Sequence, residues 1–315
     1  MLRITASLLL LSSSALGATY RRSDNIVGAD FYTKFSFQAI PDPTHGRVNY
    51  VDQATAKAKN LTFASHNSFV LRADDTTVIS DSSSVGRNSV RIQSNKAYTT
   101  HAAVFDIAHM PQGCGTWPAL WELGPNWPAG GEVDIIEGVN DQGTNQVTLH
   151  TSPGCTIPTT RTETGTSLSL DCNTAVNSNS GCGVKLTPAN SYGPAFNKNG
   201  GGWYVYALER TNSGISVWFR PQNALNLPLD VRTGFSAVDT RLWGTPSATF
   251  PSTSCNISKF FAANNIVINL TFCGDWAGSV YSSSGCPSTC TSYVDRNPQA
   301  FAGAYFQFNS INIYE

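Results

Sequence analysis

The segment Gly131-Glu132-Val133-Asp134-Ile135-Ile136-Glu137-Gly138 sets three carboxylates into an otherwise apolar run. The chain has only six glutamates, and two of them fall here, five residues apart, with Asp134 between them. A run this rich in Val and Ile reads as a β-strand, whose side chains alternate between two faces. Glu132 and Asp134 then share one face, and Val133 and Ile135 take the other. Strict alternation would send Glu137 into the apolar layer, where an unpaired carboxylate is costly. One extra residue, a β-bulge at Ile135 or Ile136, returns Glu137 to the acidic face, and such a bulge is expected. Like charges this close raise at least one pKa, so one group keeps its proton while another stays ionised. Cleavage of a glycosidic bond uses that asymmetry: an acid for the leaving oxygen, and a carboxylate to attack or to activate water. A separation of about 5 Å would mean retention and roughly 6.5–9.5 Å inversion, and the sequence leaves both open. The rival reading, a calcium or structural acidic site, fits less well, because calcium draws its carboxylates from flexible loops.

Aromatic residues crowd the approach to this segment. Trp117, Trp121 and Trp127 precede it within fifteen residues, and Trp117 and Trp121 are four apart, on one face of a strand. Indole offers a flat apolar surface on which a sugar ring stacks, although core packing is the commoner use of a single tryptophan. Trp121 and Trp127 are read as cleft residues. Trp276, in Gly274-Asp275-Trp276-Ala277-Gly278, sits on a glycine-flanked turn after a strand, a place for an exposed aromatic wall. Trp203, Trp218 and Trp243 leave a structural role open. His150 closes the run Val147-Thr148-Leu149-His150, one hairpin later, where it can meet substrate or Glu132 from a neighbouring strand. No Ser/His/Asp or Cys/His triad and no phosphate loop is evident.

The elements that must carry these residues are short runs of β-formers separated by Gly, Pro, Asn, Ser and Asp. They include 89–93, 102–107, 132–137, 146–150, 203–208, 215–219, 265–272 and 304–314. Such punctuation argues for an all-β antiparallel sandwich or barrel. Helical periodicity is confined to 52–59 and 258–264. Residues 151–202, rich in Thr, Ser, Asn and Gly with three cysteines, read as an insertion stapled by disulfides, a wall of a binding groove. The eight cysteines predict up to four disulfides without fixing their pairing. Arg3, the apolar run Leu8 to Leu11 and Ala15-Leu16-Gly17 have the layout of a cleaved secretory leader over 1–17, followed by one catalytic domain over 18–315. Sequons at Asn60, Asn256 and Asn269 fit that route. A net charge of −1 with 13% charged residues offers no basic field for nucleic acid or membrane, so a neutral ligand is expected.

These segments resemble glycoside hydrolase family 16, in particular its fungal laminarinase-type endo-β-1,3(4)-glucanases. The likeness runs over nearly the whole mature chain. It rests on Asp42-Pro43-Thr44-His45-Gly46-Arg47-Val48-Asn49-Tyr50-Val51-Asp52, on Trp117-Pro118-Ala119-Leu120-Trp121, on Glu132-Val133-Asp134-Ile135-Ile136-Glu137 and on Trp203-Tyr204-Val205-Tyr206-Ala207-Leu208-Glu209. The resemblance implies a concanavalin-A-like β-jelly roll with a cleft on its concave face. It also implies a retaining double displacement, with Glu132 as nucleophile, Glu137 as acid/base and Asp134 assisting the nucleophile. Trp121, Trp127, His150 and Trp276 would line sugar subsites. The implied substrate is β-glucan, with no required cofactor, although some members bind a structural calcium, and a monomer is expected. Three rivals share the fold: a glucan-binding protein without catalysis, a cell-wall transglycosylase, and a hydrolase for another glycan. The first typically lacks the glutamates present here. Fungal cross-linkers of the second kind tend to carry a lipid-anchor tail, which this sequence does not show.

Overall fold

The computed structural model describes residues 18–80, 83–198, 204–221 and 224–315. The segment read as a leader, 1–17, and Trp203 lie outside them. In chain order the strands begin with β1 (Thr19–Ile26), β2 (Phe35–Phe37), β3 (Val48–Tyr50), β4 (Thr62–Ala64), β5 (Phe69–Arg72) and β6 (Arg87–Ser89). There follow β7 (Arg91–Tyr98), β8 (His101–His109), β9 (Thr116–Leu123), β10 (Glu132–Glu137), β11 (Gln146–His150), β12 (Thr166–Ser167) and β13 (Cys182–Lys185). The last are β14 (Tyr204–Thr211), β15 (Gly214–Pro221), β16 (Ala237–Asp239), β17 (Ala248–Pro251), β18 (Asn264–Phe272) and β19 (Tyr305–Tyr314).

Two antiparallel sheets pack face to face, as the alternating strands demand. One runs β12-β13-β11-β10-β9-β18-β7-β2; the other runs β16-β1-β19-β8-β14-β15-β17, with β5 and β4 added along β19. Leu120, Val133, Ile135, Ile136, Val147, Leu149, Ile266 and Ile268 of the first sheet meet Phe105, Ile107, Tyr206, Leu208, Val217, Phe219 and Ile311 of the second in one buried core. Burying each such side chain stabilises the fold by about 2 kcal/mol. The outer face of the first sheet is therefore free to carry polar groups. This is the all-β jelly-roll sandwich expected from the strand pattern.

Some local expectations change. The run 89–93 divides at Val90 because the chain changes partners there: β6 pairs in parallel with β3, whereas β7 pairs with β18 and β2. Residues 52–59 do form a helix, Gln53–Ala58, started by the Asp52 carboxylate accepting from the Thr55 N–H. The expected helix over 258–264 shrinks to one turn, Ile257–Phe260, capped by Asn256. Beyond it Asn264 already belongs to β18, whose long pairing with β9 outweighs a weak helical preference. A helix over Cys290–Arg296, capped by Thr289, had no clear periodic signal.

The eight cysteines form four disulfides: Cys114–Cys286, Cys155–Cys255, Cys172–Cys182 and Cys273–Cys290. The segment after Thr151 is not structureless. It adds β13 and β12 to the edge of the first sheet beside β11, and Cys155–Cys255 ties it to the turn before Ile257. No helix among the described residues is long and apolar enough to cross a membrane.

Candidate active site

The register of β10 against β9 slips between Asp134 and Ile136, leaving Ile135 without a partner in that ladder. The bulge is where alternation required one. Ile135 and Ile136 both enter the core together with Val133, while Glu132 and Glu137 are half-buried on the opposite face. The flanking glycines are needed by space. At Gly131, in a left-handed conformation, a Cβ would lie 2.4 Å from the Phe261 ring; at Gly138 one would lie 2.6 Å from the Tyr192 ring.

Pairing then assembles the outer face. Leu123, Trp121 and Ala119 stand opposite Glu132, Asp134 and Glu137 on β9, and His150 and Thr148 stand opposite Glu132 and Asp134 on β11. Trp117 Nε1 donates to Glu137 Oε1 at 2.8 Å. His150 Nε2 lies 3.4 Å from Asp134 Oδ2, and its Nδ1 is 3.1 Å from Asn179 Oδ1, supplied by the disulfide-bearing segment. Trp127, 47% exposed, is on the turn just before β10. Trp276 packs edge-on against Trp117 with ring centroids 5.7 Å apart. Its loop is pinned by Cys273–Cys290 and by Asn140, whose amide donates to Ala277 O at 2.9 Å and accepts from Gly115 N–H. The seven residues singled out in the sequence thus lie around the outer face of β9, β10 and β11 or on the turns beside it. Trp218 and Trp243 do not: they pack on each other, buried in a separate small cluster on the second sheet.

The electrostatics follow from crowding without enough cations. Burial pushes Glu132 well above its ordinary value, helped by the Asp134 charge and opposed by His150. Burial and the Glu137 charge push Asp134 up likewise, against a hydrogen bond from Glu132. Burial also raises Glu137, while the Trp117 N–H and His150 pull it back. Three such groups share protons rather than titrate alone. All three therefore hold a proton more tightly than a free carboxyl does, and general acid chemistry needs a group that keeps its proton. Glu132, Asp134 and His150 also form the one described cluster whose donor atoms, all within 4.8 Å of one another, could hold a metal ion.

Sequence reasoning missed a polar floor beside the carboxylates. Trp121 Nε1 donates to Asn269 Oδ1 at 2.8 Å, and Asn269 Nδ2 donates to Tyr50 Oη at 3.1 Å. The Arg91 guanidinium lies 5.0 Å over the Trp121 ring and donates from Nε to Gln38 Oε1. A polar residue at alternate positions of the apolar run Asn265–Phe272 was the available signal. Of the three sequon asparagines, Asn269 is buried on a central strand with both amide atoms engaged, whereas Asn60 and Asn256 are exposed.

A family model described as "XgeA-like, catalytic GH16 domain" matches residues 35–314. The chain belongs to glycoside hydrolase family 16. Among its relatives, a probable endo-1,3(4)-beta-glucanase of Aspergillus fumigatus is 41% identical over 99% of this chain. The chain spans about half of that relative, 48% of its length. Among solved structures, the family 16 Laminarinase 16A of Phanerochaete chrysosporium, with 6-O-glucosyl-laminaritriose in donor and acceptor sites, is 59% identical. It aligns over 95% of this chain and all of its own, with a TM-score of 0.92. An elongating family 16 β-1,3-glucosyltransferase is 40% identical over 94% of this chain and all of its own, with a TM-score of 0.86.

Proposed function

We propose that residues 18–315 form a single secreted, monomeric catalytic domain, freed from a cleaved leader at 1–17. In this reading it is a retaining endo-hydrolase of β-1,3-glucan, and also of mixed β-1,3/1,4-glucan. The observation that carries the proposal is the bulged strand, which turns Glu132, Asp134 and Glu137 into one aromatic-lined groove. The substrate class rests on the activities named for the relatives and on the tryptophans beside the carboxylates, which suit stacking on sugar rings.

In the first step the Glu132 carboxylate attacks the anomeric carbon. The C1–O bond breaks, and the departing glycosidic oxygen takes the proton held by Glu137. Asp134, two residues along the same strand face, takes up the proton from Glu132, so that Glu132 can enter as the anion. Trp121, Trp127 and Trp276 hold the glucan, and His150 steadies Asp134. In the second step Glu137, now a base, removes a proton from water. The water oxygen attacks C1, and Glu132 leaves as carboxylate. Retention predicts a β-anomer as the first product seen by NMR after addition to laminarin; an initial α-anomer would overturn it. The likeness to a glucosyltransferase gives transfer to a sugar acceptor a specific basis as a second reading. Product profiling separates the two: net reducing-end release means hydrolysis, and longer glucans at constant reducing ends mean transfer. Four disulfides fit an oxidising compartment, and a secreted form beginning near Ala18 would bear out the leader.

A further inference from the structure

The bulge that brings Glu137 to the groove also breaks the backbone ladder. Pairing of β10 with β11 ends at Asp134 opposite Thr148, so the main chain from Ile135 to Glu137 has no strand partner on that side. Buried backbone groups without partners are costly, and something must satisfy them. Asn145, the residue before β11 and 0% exposed, does so with its side chain: Nδ2 donates to Ile135 O at 2.8 Å, and Oδ1 accepts from Glu137 N at 3.0 Å. The amide thus bridges the two ends of the bulge in the manner of a missing strand residue. Its own main chain is held independently, N–H to Ser191 Oγ at 3.0 Å and C=O from Leu186 N–H at 2.9 Å. Loss of the side-chain amide therefore frees the bulge without freeing the loop.

We propose that Asn145 is a positioning residue: its amide fixes the bulged backbone that sets Glu137 against the leaving oxygen. The inference rests on the reading of Glu137 as acid/base. It separates Asn145 from a residue that merely stabilises the fold, because only the step that needs a proton should suffer. The test compares kcat/KM for laminarin with that for 2,4-dinitrophenyl β-laminaribioside, whose phenolate leaves without protonation. Asn145→Ala is expected to lose about a hundredfold on laminarin, while staying within about fivefold of wild type on the aryl glycoside. Asn145→Asp keeps the acceptor and the size but loses the donor. It should show the same split with a smaller loss, and it carries the comparison if Asn145→Ala does not fold. Glu137→Gln is measured alongside. A split in Glu137→Gln alone overturns the inference and leaves the acid/base reading standing. A split in neither variant overturns both. A split in the Asn145 variants alone shows that Asn145 does not act through Glu137, and overturns the inference. Equal losses on both substrates reduce Asn145 to a structural role.

Discussion

Two sets of buried carboxylates sit on neighbouring strands and face opposite ways. On the core side of β9, Glu122 is 0% exposed, with His101 Nε2 at 2.8 Å from one oxygen and Arg210 Nη1 at 3.8 Å from the other. Arg210 in turn donates to Phe261 O at 2.8 Å and to Ala262 O, beside the turn that launches β10. On the groove side of β10, Glu132, Asp134 and Glu137 crowd one another: His150 Nε2 lies 3.4 Å from Asp134 Oδ2, Arg91 faces Glu132 electrostatically, and Asp134 Oδ2, like Glu122 Oε2 on the core side, makes no hydrogen bond among the described residues. The contrast teaches what each set is for. The structural carboxylate has a histidine and an arginine packed beside it. The carboxylates kept for chemistry face one another, and burial raises their proton affinity at a cost in stability.

The sharpest test neutralises the groove set. Glu132→Gln or Glu137→Gln should lower kcat on laminarin at least about a thousandfold, because the pair acts as a unit. The same variants should melt at a higher temperature near neutral pH. Both carboxyls have folded-state pKa values raised above the ordinary one, so the folded state holds the proton more tightly than the unfolded chain. The cost to the wild type therefore builds as pH rises from the ordinary glutamate value towards the raised one and is complete above it, and the amide escapes that cost. The gain in Tm should vanish below the ordinary glutamate range and grow above it. A variant that loses activity and also melts lower at neutral pH would break the comparison.

The core set should answer the other way. Glu122→Gln leaves Arg210 buried without its counter-ion and should cost about 3 kcal/mol in denaturant unfolding, while the folded fraction keeps nearly full turnover. An unchanged unfolding midpoint would show that the backbone carbonyls alone satisfy Arg210. A smaller effect belongs to the groove wall: Trp127→Ala removes an exposed stacking surface and should raise KM about tenfold, equivalent to about 1.4 kcal/mol, with little change in Tm.

The groove set was legible in the sequence, and the core set was not. Three carboxylates within six residues of a Val/Ile run defy alternation, and that local contradiction announces both the bulge and the site. The neighbouring tryptophans were near enough in sequence to be drawn in. Glu122, His101 and Arg210 belong to three strands, and nothing in their own segments says that they meet. Asn145 and Asn269 were hidden for a related reason: an asparagine reads as turn or sequon until the cross-strand register shows what its amide faces. The helix expected over 258–264 keeps one turn, Ile257–Phe260, because propensity over a few residues is weak beside nine residues of strand pairing.

The finest distinction lies within the groove set, between its two glutamates. Trp117 donates to Glu137, and this N–H favours the ionised form, opposing the upward push of burial. Glu132, Asp134, His150 and Tyr192 also face this carboxyl electrostatically. Trp117→Phe deletes the donor while keeping a ring to meet the edge of Trp276. The ionised form then loses support, the Glu137 pKa rises, and the acid stays protonated to higher pH. Because the first chemical step needs that proton, the alkaline limb of kcat/KM should move to higher pH, and the acid limb should stay where it is. The change at the optimum should be only a few-fold, since positioning by the bulge is untouched. A shift of the alkaline limb to lower pH would mean that the indole N–H supports the protonated acid instead, and Glu137 would then owe its proton affinity to Trp117 rather than to burial.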